Sequence, residues 1–98
     1  MTIDQHRNDT EMRIALFGRL DTMSSPELEA VILNELEGVT ELTLDLAGLD
    51  YVSSAGLRVL LRAQKKMAAC GTMKLTGVSP MIMEIFDVTG FSEILTVE

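Results

Sequence analysis

Twice between residues 41 and 76 the chain alternates strictly between apolar and polar side chains, with a long helical pattern in between. Leu42, Leu44 and Leu46 alternate with Thr43 and Asp45, and Met73 and Leu75 alternate with Lys74 and Thr76. Such alternation marks a strand that shows one face to a core and the other to water. Strands of a sheet covered by helices on both faces read as apolar throughout. The pattern therefore predicts helices mainly on one face of the sheet, with the other face partly open.

The remaining elements follow from similar signals. Residues 2–7 are a further strand candidate, and at 11–17 Met12, Ile14 and Leu16 alternate with Arg13, Ala15 and Phe17. A loop is expected over 18–23. Ser24-Ser25-Pro26-Glu27 then starts a helix, because proline suits the first turn and either serine can cap it. Leu28, Val31, Ile32 and Leu36 supply its apolar stripe, and Gly38 ends it. A second helix is expected from near Ser54 to Ala69, stopped by Gly71. A third follows Ser79-Pro80 with Met81, Ile82, Ile85 and Phe86, closed by Gly90 and latched by Phe91. Ile94 to Val97 reads as a last short strand. Strands alternating with helices define an α/β class with a mostly parallel sheet, here of about 4–5 strands.

The 98 residues fit a single domain, 1–98, and an apolar content of 47% supports a core without staples. Cys70 is the one cysteine, so no internal disulfide can form. A net charge of −7 argues against general nucleic-acid binding, which needs a basic footprint. The aromatic residues are Phe17, Tyr51, Phe86 and Phe91, too few for a base-stacking platform. No apolar run is long enough for membrane insertion, and Met1-Thr2-Ile3-Asp4 lacks the features of a secretory signal, so a cytoplasmic location is expected. His6 is the lone histidine and is expected at the surface. It leaves no set for a Ser-His-Asp triad or a histidine metal site. No nucleotide-binding glycine motif occurs. The chain is expected not to be an enzyme and to use no cofactor or metal; Cys70 reads as structural.

The chemically informative stretch runs from Leu42 to Leu61, a strand and a turn followed by Ser53-Ser54-Ala55-Gly56-Leu57 at a helix start. The first turn of a helix offers unpaired N–H groups and a partial positive charge. A serine hydroxyl there caps the helix, and a phosphate would meet the same groups. Gly56 allows another part of the backbone to approach. At 100° per residue, Leu57, Leu60, Leu61, Gln64, Met67 and Ala68 fall on one side of the helix. Arg58, Arg62, Lys65 and Lys66 fall on the other, with Val59 and Ala63 flanking them. Four basic residues on one helix of an acidic chain form a docking face for an acidic partner, or a solvated surface.

Asp45-Leu46-Ala47 and Tyr51-Val52-Ser53-Ser54-Ala55-Gly56-Leu57-Arg58-Val59-Leu60-Leu61 resemble the signature of the STAS domain, the sulfate transporter and anti-sigma factor antagonist family. So do Gly18-Arg19-Leu20-Asp21 before a capped helix and Phe86-Asp87-Val88-Thr89-Gly90-Phe91. The resemblance covers essentially the whole chain. It implies a β-α superhelical domain and a bacterial anti-sigma factor antagonist that binds an anti-sigma factor with serine kinase activity. Phosphorylation blocks that binding and a serine phosphatase restores it. The phosphorylated position lies two before the motif glycine, which here is Ser54. Ser53 stands where the family often has aspartate and is a competing acceptor. The expected partner surface comprises Asp21, Thr22, Met23, Ser24, Ser53, Ala55, Gly56, Arg58, Val59 and Arg62. The family also contains regulatory subunits of membrane transport ATPase complexes, including lipid transporters, which is the alternative function. Many members carry a further C-terminal helix. Its absence after Glu98 would leave Phe91, Leu95 and Val97 open for weak homo-oligomer formation.

Overall fold

The computed structural model describes residues 1–98. Its elements are β1 (Thr2–Asn8), β2 (Glu11–Leu20), α1 (Ser25–Asn34), β3 (Glu41–Val52), α2 (Ser54–Ala68), β4 (Thr72–Thr76) and α3 (Pro80–Thr89), followed by a 3-10 turn at Phe91–Glu93. The four strands lie in the order β1-β2-β3-β4. β1 and β2 form an antiparallel hairpin, whose turn is made by Asp9 at φ 57° and Thr10. β2 pairs in parallel with β3, and β3 with β4.

Strand alternation does what the sequence predicts. Met12, Ile14, Leu16, Leu42, Leu44, Leu46, Met73 and Leu75 point into one core with Leu28 and Ile32 of α1, Leu60 and Met67 of α2, and Ile82 and Phe86 of α3. The opposite face carries Arg13, Thr43, Asp45 and Lys74 and stays partly open. An Arg13–Asp45 ion pair at 2.6 Å lies on it.

β3 extends six residues beyond the expected end at 46. Gly48 and Asp50 look like turn residues, yet Gly48 sits within the strand, opposite Phe17, whose ring leaves no room for a Cβ. Register shifts near Phe17 and Gly18 let the β2–β3 pairing continue to Leu20 and Val52. The predicted loop at 18–23 is thereby reduced to Asp21–Ser24.

The expected last strand is a single parallel bridge from Leu75 to Val97, because the Ile94 and Leu95 N–H groups are bonded to the Phe91 carbonyl instead of a strand. Gly90 does cap α3 in the left-handed conformation, φ 81°. Leu95 is buried, and Phe91 and Val97 are half-buried against the core, so these three are not the open surface. On α3, Met81 is 62% and Val88 81% exposed beside half-buried Ile85, while Phe17, Met23, Leu33 and Ile94 are exposed singly elsewhere. Cys70 is an exposed free thiol, its Sγ 3.5 Å from the Val39 carbonyl. His6 is exposed.

Candidate functional site at the start of the second helix

The first turn of α2 is built against the end of β2. The Leu20 carbonyl accepts the Ser53 N–H at 2.9 Å, which ties the helix start to the sheet. Ser53 has extended backbone, and its Oγ accepts the Gly56 N–H at 3.3 Å. Ser53 is therefore the N-cap. Ser54 is the first helical residue, its side chain is exposed, and it takes no part in the cap. Of the two serines, one hydroxyl is engaged by the backbone and the other faces outward.

The segment before α1 forms a second hydrogen-bonded corner. Asp21 Oδ1 accepts the N–H groups of Met23 at 3.0 Å and Ser24 at 3.1 Å. The Ser24 hydroxyl lies 2.6 Å from the Arg19 carbonyl and accepts the Asp21 N–H at 2.9 Å. The Ser25 hydroxyl donates to the Asp21 carbonyl. The Ser24 N–H, above all, holds the Asp21 carboxyl below the ordinary aspartate value, helped by the Ser24 hydroxyl, Met23 N–H and Arg19 and opposed by partial desolvation. Arg19 also lies 4.5 Å from the centre of the Tyr51 ring. Asp21 and Ser24 thus act first as a structural clasp, and Ser24 is buried. Neither serine caps α1 with its side chain by bonding the first-turn N–H groups.

Helices α1 and α2 enclose a groove of about 240 Å³ lined by Thr22, Ser25, Pro26, Glu29, Ala55, Arg58, Val59 and Arg62. Five of the predicted partner residues, Thr22, Ala55, Arg58, Val59 and Arg62, meet here. Asp21, Met23 and Ser24 line a different cleft, with Arg19, Glu27 and Asp50. Gly56 is buried against Leu20. Val59 corrects the sequence reading: at 3% exposed it forms part of the groove floor, not an outer contact, and Ala63 is fully buried. The helix packs on α1 as well as on the sheet, which turns its small residues inward and leaves Leu61 and Gln64 half-buried and Ala68 exposed.

The basic residues of α2 are also not equivalent. Arg62 Nη1 lies 3.1 Å from Glu29 Oε2, and Lys66 Nζ donates to the Leu33 carbonyl at 3.2 Å. Both tie α2 to α1. Arg58 joins none of the four ion pairs. Glu29 was not among the predicted site residues; nothing in its local pattern marks it, because its role depends on which helix it faces. No group of three or more histidine, cysteine, aspartate or glutamate side chains is arranged to hold a metal. No helix is long and apolar enough to cross a membrane.

Residues 3–96 match the family described as Mlab, STAS domain. The chain belongs to the STAS domain family. It is 32% identical over 99 residues to BtrV of Bordetella bronchiseptica, assigned by name as an anti-sigma factor antagonist, covering 99% of this chain and 85% of BtrV. Its fold resembles that of an anti-sigma factor antagonist from Mycobacterium paratuberculosis, with a TM-score of 0.86 at 20% identity over 98% of this chain and 83% of the other. It also resembles the phosphorylated form of the Bacillus cell fate determinant SpoIIAA, with a TM-score of 0.77 at 21% identity over 99% and 91% of the two chains.

Proposed function

We propose that this STAS protein is a cytoplasmic anti-sigma factor antagonist that works by partner switching. Unmodified, it binds an anti-sigma factor with serine kinase activity. The kinase transfers phosphate from ATP to Ser54: the serine oxygen forms a bond to phosphorus, ADP leaves, and the hydroxyl proton passes to a base of the kinase. The modified chain is released until a serine phosphatase removes the phosphate.

The observation that carries this reading is the division of labour between two adjacent serines. Ser53 is held by the Gly56 N–H, whereas Ser54 is exposed on the first turn of α2. A kinase needs a hydroxyl that can enter its active site, and Ser54 offers one without unmaking the cap. The names of the relatives support the antagonist reading, and the groove beside Ser54, with Thr22, Ala55, Arg58 and Arg62 around it, supplies a partner surface. On this reading residues 1–98 act as one STAS domain and a binding module, with no catalytic step and no cofactor of its own.

The test is incubation with the anti-sigma factor kinase of the same organism and ATP. One phosphate on Ser54, located by mass spectrometry and lost in Ser54→Ala, is the expected result. A phosphate on Ser53 would overturn the site. Capture of a membrane transport ATPase in place of an anti-sigma factor, with affinity-tagged chain as bait, would replace this function by the transport-subunit alternative.

A further inference from the structure

We propose that Arg58 is the counter-ion of a phosphate on Ser54, so that modification withdraws from the α1–α2 groove the guanidinium otherwise offered to a partner. The proposal rests on Ser54 being the modified residue and concerns how the modification acts. Ser54 and Arg58 are four residues apart on α2, and both are exposed. Side chains at that spacing are neighbours on one helix face, with Cβ atoms about 5–6 Å apart. The order is the favourable one, with the anion toward the helix N-terminus and the cation one turn later. A guanidinium fork also matches phosphate oxygens in pairs.

The other cations near the groove are already engaged. Arg62 pairs with Glu29 and Lys66 bonds the Leu33 carbonyl. Arg19 is held by Asp21 and Tyr51. Lys65 is eleven residues beyond Ser54, about 16 Å along the helix axis. Glu29 is the one carboxylate lining the groove, and Arg62 occupies it. Arg58 alone combines proximity to Ser54 with freedom to turn. In the unmodified chain it lines the groove with Thr22, Ala55 and Val59 and can meet an acidic group of a partner. With phosphate on Ser54 it folds back along its own helix. The groove then loses a cation as well as gaining an anion beside it, and the two effects share one residue.

The experiment uses the full chain with phosphoserine placed at position 54 through an expanded genetic code, which needs no kinase. The second ionisation of the phosphate is followed by phosphorus NMR against pH at low salt. The phosphate should titrate about 0.2–0.4 pH unit lower with Arg58 present than in Arg58→Gln. Arg58→Lys should retain part of that difference, and high salt should shrink it. Amide spectra matching the parent chain confirm that each variant is folded. Equal titration curves with and without Arg58 would overturn the proposal, as would an equal shift in Arg62→Gln, which would mean a general charge effect. Because phosphoserine is installed directly, a negative result strikes only the role of Arg58, whereas failure of a kinase to label Ser54 strikes only the switch.

Discussion

A Cβ on Gly56 would stand 2.8 Å from both the Cγ and the carbonyl oxygen of Leu20. The flexible leucine tip can move aside, but the carbonyl cannot, because the Ser53 N–H is bonded to it at 2.9 Å. In an exposed helix, glycine to alanine gains about 1 kcal/mol from helix propensity. Here the clash is with backbone, and overpacking costs about 1–3 kcal/mol. Gly56→Ala should therefore destabilise the fold despite its better propensity and should shift the first turn that presents Ser54. Urea denaturation reads the first effect and labelling by the kinase reads the second. A more stable variant would show that α2 moves freely relative to β2.

The two serines should separate by phenotype. Ser53→Ala removes the side-chain acceptor for the Gly56 N–H and should cost about 1 kcal/mol. It should still be phosphorylated at Ser54. Ser54→Ala should change stability little and abolish labelling. Parallel thermal melts and phosphopeptide mapping test the pair; stability loss in Ser54→Ala equal to that in Ser53→Ala would refute the division between cap and acceptor.

Acid should act on two carboxyl sites in opposite directions. Asp21 is depressed by the Ser24 N–H and its neighbours. Its contribution to stability is present above the ordinary aspartate value of about 3.9 and fades as pH falls through its lower folded value. Glu11 is raised by the hydrogen bond with Glu41 and then by that residue's charge. Its contribution is present below the ordinary glutamate value of about 4.3 and is lost as pH rises through the higher folded value. Glu41→Gln should therefore raise the melting temperature at pH 7, and the gain should shrink toward pH 4. Asp21→Asn should lower it at pH 7, with the deficit shrinking as pH falls below the ordinary aspartate value. Melts across this range would reject either assignment if the differences stayed constant with pH.

Much of this architecture is legible in the sequence. The limits of α2 follow from Ser53 and Gly71, the cap of α3 from Gly90, and the open sheet face from Asp45 and Lys74 among leucines. Two kinds of information were not local. Gly48 and Asp50 read as a turn because the ring of Phe17, which fills the place of the missing Cβ, lies on another strand. Val59 and Ala63 read as rim residues because a helical wheel centred on Leu57, Leu60 and Leu61 describes packing on one surface. α2 has two, and the second, α1, rotates the buried arc toward its small side chains. The same pairing turns Arg62 from a free charge into a tie to Glu29.

The apolar stripe of Met81, Ile85 and Val88 on α3 is the face we predict for self-association, in place of Phe91, Leu95 and Val97. Replacing Met81 and Val88 together by glutamine should leave the melting temperature within a few degrees, since both are exposed. Concentration-dependent sedimentation of the parent chain should weaken in the variant. Unchanged sedimentation in both would remove this face from consideration.

The switch itself should be local. A phosphate adds nearly two negative charges. On the first turn of its own helix that charge is stabilising by about 0.3–1 kcal/mol through the helix dipole. Its neighbourhood already carries Arg58, so the folded domain has no reason to rearrange. The cost falls at the interface, where a hydrated phosphate must be stripped of water or pressed against a partner's acidic groups. Ser54→Asp should therefore keep a melting temperature within a few degrees of the parent chain while losing the anti-sigma partner. Arg58→Glu should weaken the same binding most strongly at low salt. Amide shifts spread through β2 and β3 on phosphorylation, rather than confined to the loop at Asp21–Ser24 and the first turns of α2, would make the switch conformational and end the local account.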